Sequence, residues 1–266
     1  MSRFHSVCVA LAAVFLAVPA APAAARATVV PDVPPASTLE TGDFLWPKLP
    51  NRVVPYDSRP GAAAAADRQR WEEERRAELA RLEHLPALTP QEKERYRILS
   101  SLTYDAFLGL YLSDRPEGTV TPLGDLAVVA TGHVAIVDVR QGVPYVIEAI
   151  PYQGHLGVRD LTYRAWLAGR PGEKVWHARL KDATREQRAK VAAIARGELG
   201  KPYLFWNFDL ADEHGFYCSK LAWFSVWRAI GQALDGNANA KRALWYSPKQ
   251  MLHSPLLVVL SSPGPF

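Results

Sequence analysis

The chain has 266 residues, 48% of them hydrophobic, 22% charged and 10% aromatic, a globular balance that excludes disorder along its whole length. That length predicts one core of roughly 200 residues, or two small ones. The 31 basic and 27 acidic residues leave a net charge of +4 and a pI near 9.1, but the charges are interspersed and form no basic run, which argues against a nucleic-acid partner.

Arg3 followed by the apolar stretch Val7 to Val18 and the small-x-small triplet Ala25-Arg26-Ala27 reads as a secretory signal peptide over residues 1–27. The stretch is too short to span a membrane comfortably, and no other long apolar run occurs, so the mature chain is expected to start near Thr28 without a transmembrane segment. Cleavage there removes two basic residues and no acidic one, and it also removes Cys8. Cys218 is then the lone thiol of a chain addressed to an oxidising periplasmic or extracellular compartment. Such a thiol is an intermolecular link, an inert buried side chain or a nucleophile.

Residues 28–41 are a Pro/Ala-rich lead-in. Gly42 to Trp46 predicts a short strand ended by Pro47 and Pro50. A charged helix follows over 67–85. A second, opened by the capping box Thr89-Pro90-Gln91-Glu92, is expected to run to about Leu112. Together they read as a helical hairpin inserted at about 62–115. Past Gly118 the apolar period becomes two, and strands are expected at 126–130, 133–139, 143–150 and 174–180, with Gln141-Gly142 as a two-residue hairpin turn. Thr184 to Gln187 caps a helix to about Leu199. Residues 217–233 are apolar almost all round and predict a buried helix, and 256–260 a last strand. Antiparallel strands and helices in separate runs make an α+β domain over 42–266.

Cys218 falls where the buried helix begins, and a helix N-terminus lowers a thiol pKa and can hold a developing oxyanion. A thiol nucleophile needs a base, and His133, in Gly132-His133-Val134-Ala135-Ile136-Val137, is the foremost candidate, Gly132 leaving room for a close approach. The Gln141-Gly142 turn sets Glu148 opposite Ala135, which makes Glu148 a diagonal neighbour of His133 on one sheet face; a slip of one residue would separate them. The bland alternatives are a strand-end His bonded to a loop and a carboxylate in solvent. Gln153 and His155 are the next candidates for orienting the imidazole. The aromatic set Tyr203, Phe205, Trp206, Phe208, Phe216 and Tyr217 either lines an apolar substrate groove, with Tyr203 and Tyr217 as contacts, or belongs to the core. Asp209, Asp212, Glu213 and His214 offer metal donors, but at a spacing that matches no familiar site, so neither metal nor cofactor is expected.

Gly42 to Trp46, Gly132 to Val137, Val146-Ile147-Glu148-Ala149, Gly200-Lys201-Pro202-Tyr203 and Tyr217-Cys218-Ser219-Lys220-Leu221, in that order, resemble the permuted papain-like cysteine hydrolases of the NlpC-type superfamily, YiiX-like branch. There the histidine strand precedes the cysteine helix. The resemblance implies a papain-like fold, with Cys218 as nucleophile, His133 as base and Glu148 as third residue. It covers about Gly42 to the C-terminus, broken by the hairpin. Lys220 departs from it, standing where an acidic residue is expected. The implied activity is cleavage of an amide, with a cell-wall peptide as substrate class; a lipid acyl ester or amide hydrolase or an acyltransferase of the same fold is the alternative, and a binding module with an inert thiol is the rival.

Overall fold

The computed structural model describes residues 31–48, 62–107, 132–151, 156–264 and 266. The expected signal peptide, the strand at 126–130, Gln153 and His155 lie outside them. Among the described residues six strands form one antiparallel sheet: β1 (Phe44–Lys48), β2 (Ala135–Arg140), β3 (Val143–Ile150), β4 (Gly157–Thr162), β5 (Lys174–Leu180) and β6 (Leu257–Ser261), in the spatial order β4-β3-β2-β1-β5-β6. The helices are α1 (Ala62–Glu83), α2 (Pro90–Ser101), α3 (Tyr163–Ala168), α4 (Arg185–Gly197), α5 (Cys218–Ile230) and α6 (Pro248–Leu252). This is the expected α+β architecture of a permuted papain-like fold.

Period-two alternation gives the sheet two apolar faces. Phe44, Trp46, Ile136, Ile147, Trp176 and Ala178 point to one side and form the main core with Val191, Ala192 and Ala195 of α4 and Leu221, Ala222 and Phe224 of α5. Leu45, Ala135, Val137, Val146 and Val175 point to the other and pack on Tyr163 and Trp166 of α3. Nine of the 13 residues of α5 are buried, so the helix that carries the cysteine is the most enclosed helix of the core.

The β2–β3 register follows from its turn. Gln141 (φ 50°) and Gly142 (φ 78°) both adopt the left-handed region that a type I′ hairpin requires, and Ile136 pairs with Ile147 and Arg140 with Val143. Thr89 and Thr184 cap α2 and α4 through reciprocal boxes with Glu92 and Gln187.

Several boundaries differ from expectation. Pro47 lies inside β1, opposite Val175, and does not end it. β2 pairs with β1 only at Phe44 and Leu45, so among the described residues that side of β1 faces no ladder beyond Leu45 and a missing N–H costs nothing there. The second hairpin helix stops at Ser101; Thr103 then caps a further helical turn from Tyr104. β4, α3 and α6 were not expected at all. The hairpin is not merely a solvated face: Trp71, Ile98 and Leu99 join the main core, and the Arg95 guanidinium donates to the Ala243 and Arg242 carbonyls. Among the described residues no helix is long and apolar enough to cross a membrane.

Candidate active site

Three elements bring the site together. α5 starts at Cys218, the end of β3 carries Glu148, and the extended residues ahead of β2 carry His133. Gly132 precedes the histidine at φ +95°, and a Cβ there would stand 2.6 Å from the Phe266 ring. The close approach that Gly132 permits is thus filled by the chain's own Phe266, which also packs edge-on against Trp176. Gly132→Ala is expected to cost about 1–3 kcal/mol through left-handed backbone strain and to slow thiol alkylation by displacing His133. Urea unfolding and iodoacetamide kinetics check the two effects.

His133 and Glu148 meet as the register requires. His133 Nε2 lies 2.8 Å from Glu148 Oε2, with the imidazole 7% exposed and the carboxylate wholly buried. A buried carboxylate must be satisfied, and this one accepts more than the histidine. Trp166 Nε1 (2.8 Å) and Arg170 Nη2 (2.7 Å) also reach Oε2, while Arg159 donates to Oε1 through Nε (3.1 Å) and Nη2 (2.9 Å). Burial raises the Glu148 pKa, but His133, Arg170 and Trp166 outweigh it and bring it down to about 2. Arg159, Trp166 and Arg170 all sit on β4, α3 or just beyond, segments whose structure the sequence pattern had not revealed.

Cys218 is a half-buried free thiol beside the His133 ring, close enough for the two to shift each other's pKa. With Nε2 turned to Glu148, Nδ1 is the nitrogen left to face sulfur. Burial pushes the thiol pKa up. The His133 ring and its charge, then backbone amides of Val134 and Ser219, reverse this and hold it below the ordinary value. Burial likewise pushes the imidazolium down, but Cys218 and Glu148 raise it to about 9. The arrangement therefore favours a thiolate–imidazolium pair. The start of α5 adds to it: Tyr217, the N-cap, makes no side-chain cap bond, so the first-turn amides face the sulfur end without a competing acceptor from the cap.

The remaining candidates fall elsewhere. Tyr217 is 2% exposed, and its hydroxyl accepts from the Tyr246 amide, which puts its ring in the core. Tyr203 lines a groove together with Phe205 and Trp206. Lys220, fully buried, donates to the Gly215 carbonyl at 2.9 Å and lies 3.6 Å from Asp212. It ties the loop before Cys218 to α5. Asp212 also binds Asn207 and His214, and Asp209 caps the Ala211 amide. Among the described residues no three His, Cys, Asp or Glu side chains form a group that could hold a metal ion. A second buried histidine–carboxylate pair, His177 Nε2 to Asp43 Oδ2 at 2.7 Å, is braced by Arg179 and joins β5 to the Gly42-Asp43 segment. The pairing had not stood out in the sequence, because its two members lie 134 residues apart.

Comparisons with known proteins place the chain in a family. An uncharacterised protein of Escherichia coli (strain K12), YiiX, is 30% identical over 118 residues, which is 44% of this chain and 55% of the relative. The chain thus matches about half of that relative's length. A crystal structure titled as the metalloprotein yiiX of Escherichia coli O157:H7 aligns with a TM-score of 0.40 and 22% identity, over 50% of this chain and 83% of that one. Residues 116–256, which include His133, Glu148 and Cys218, match the model of a family described as permuted papain-like amidase enzymes, YaeF/YiiX, C92 family. Spanning more than half of the sequence, that match shows that the chain belongs to the permuted papain-like amidases of the YaeF/YiiX, C92 family.

Proposed function

We propose that the chain is an exported cysteine amidase that cleaves its substrate through Cys218, His133 and Glu148. The observation that carries the proposal is the continuous chain from thiol to imidazole to a buried, ionised carboxylate, with the pKa of the thiol held down and that of the imidazole held up. An inert structural thiol needs none of these partners. The thiolate attacks the amide carbonyl carbon, and the amides around the sulfur receive the oxyanion. His133 gives its Nδ1 proton to the departing amine, and the C–N bond breaks. Water, deprotonated by His133, then hydrolyses the thioester and returns the proton to the pair. Glu148 fixes the ring and balances the imidazolium charge. Export by way of residues 1–27 puts cell-wall stem peptides within reach as the amide substrate.

The pH dependence follows from the directions of the two shifts. Iodoacetamide labelling of the native chain is expected to proceed well below the ordinary thiol pKa, and amide turnover to decline above about pH 9 as the imidazolium is lost. Labelling that rises only at the pKa of a free thiol would overturn the proposal in favour of a binding module. Intact mass of the secreted chain tests the export step: a mature N-terminus near Thr28 with one alkylatable sulfur is expected, and retention of residues 1–27 would refute it.

A further inference from the structure

His133 stands on backbone that the sheet does not hold. Among the described residues the ladder pairs of β2 begin at Ala135 with β1 and at Ile136 with β3, and neither set reaches Gly132 or His133. The bond to Glu148 anchors the far end of the imidazole through Nε2. One bonded atom fixes where that nitrogen lies, but the ring can still swing about it. The direction of Nδ1 then depends on where the backbone of residue 133 is kept. Gly132 is the joint in that backbone: at φ +95° it takes a left-handed conformation, in which glycine has the most freedom to move.

The contact that stops this joint comes from Phe266, which lies outside the family-matched stretch 116–256. Its ring presents Cζ to Gly132, 2.6 Å from where a Cβ would stand, with Cε1 at 3.1 Å. The ring is itself held from two strands. Trp176 of β5 packs edge-on against it at a centroid distance of 4.9 Å, and the Lys48 ammonium, at the end of β1, lies 5.5 Å from its centre. Trp176 is buried, and its Nε1 donates to the Gly264 carbonyl at 3.0 Å, which also accepts from Ser262 Oγ at 3.0 Å. These contacts tie the segment after β6 to β1 and β5. Covering Trp176 needs only apolar bulk; the Phe266 ring also meets the residue that precedes the base.

We infer that Phe266 is a positioning residue for the proposed reaction: its ring pins Gly132 and so aims the His133 imidazole at Cys218. The inference deepens the amidase reading and rests on it for turnover, whereas iodoacetamide labelling reads the aim of the imidazole without turnover. On purified muropeptides, Phe266→Ala is expected to lower kcat by about ten- to a hundredfold and to leave KM within about twofold, the cost of a reacting group misplaced by about 1 Å. The pH midpoint of Cys218 labelling should move up by about one pH unit as the imidazolium turns away. Phe266→Leu keeps apolar cover on Trp176 but is too short to place an atom where Cζ lies, so it should shift labelling in the same direction with little change in melting. Phe266→Tyr adds an oxygen at Cζ, against Gly132, and should slow labelling too. The ring and a Cβ at residue 132 compete for one space, so Gly132→Ala should slow labelling less in the Phe266→Ala chain than in the parent. If Phe266→Ala does not fold, Phe266→Leu and Phe266→Tyr decide the matter. Parental labelling midpoints in the folded variants, or a Gly132→Ala cost that is the same with and without the ring, overturn the inference. If labelling shifts as expected but the parent cuts no muropeptide, the clamp stands and the amidase reading falls. If the parent cuts and every folded variant cuts and labels as the parent does, the amidase stands and the clamp falls.

Discussion

Cys218→Ala, Cys218→Ser and His133→Ala are each expected to reduce amide hydrolysis by on the order of 10⁴-fold or more while the fold is kept. Loss of the sulfur removes the nucleophile outright. A serine hydroxyl in the same place is far less acidic than the thiol, and the imidazole facing it is matched to a thiolate. His133→Ala acts on the sulfur as well as on the proton transfers. Burial by itself raises the thiol pKa, and the His133 ring and its charge are the largest forces opposing it. Without the ring, only backbone amides of Val134 and Ser219 remain among those opposing groups, so the pH at which Cys218 alkylates should move up to or above that of a free thiol. Initial rates and labelling profiles, with circular dichroism to check folding, decide the matter. A His133→Ala chain that retains both turnover and low-pH labelling would show that another base serves Cys218.

Glu148→Gln should injure both stability and rate. The carboxylate is fully buried, and it is the anion that accepts from Arg159, Arg170, Trp166 and His133. An amide of the same shape leaves the Arg170 guanidinium, itself 8% exposed, without that countercharge, and its own NH₂ group is turned toward donors. Breaking a buried pair in this way costs about 3–5 kcal/mol. On the folded fraction, turnover should fall by roughly ten- to a thousandfold, since an orienting group contributes less than the nucleophile. The pH dependence has a definite sign. The folded-state pKa of Glu148, about 2, lies below its ordinary value of 4.5. Its stabilisation is therefore complete above the ordinary carboxylate range and disappears as pH falls toward 2. Urea unfolding should show a large gap between parent and Glu148→Gln chains at pH 7 and a smaller one at pH 3. A substitution silent in both turnover and unfolding would mean that Glu148 neither orients the base nor anchors the site.

The sequence was most readable where local chemistry decides the structure. A Gln-Gly turn fixes the β2–β3 register, and that register alone brings Glu148 to His133. The two Thr capping boxes open their helices where the pattern places them, and 143–150 and 174–180 are strands to the residue. Readability failed where tertiary contacts set the outcome. β4 is Gly-Val-Arg-Asp-Leu-Thr, with only its first two residues buried; its polar remainder hides a strand that forms because the β3 edge is there to pair with it. Arg159 and Arg170 look like surface charges until the fold sets a carboxylate between them. The break after Ser101 was missed because the apolar period runs on past it. Tyr217 and Tyr203, similar in sequence context, part company in space, one in the core and the other on the groove.

The place of β1 bears on how the chain folds. It is the earliest strand among the described residues, yet it lies between β2 and β5, pairing Leu45 with both Ala135 and His177. β2, β3 and β4 are neighbours in sequence and can zip together locally, whereas β1 must wait for partners made much later and thread between them, a non-local closure that slows folding. The stretch 116–256 that matches the family model holds every residue of the proposed triad but neither this strand nor β6. Expressed alone, it would present the facing edges of β2 and β5 to solvent, along with the apolar gap vacated by Phe44, Leu45 and Trp46, and such edges recruit other chains. Aggregation of the excised stretch, rescued when residues 31–48 and 257–266 are restored together, would be the sign of it.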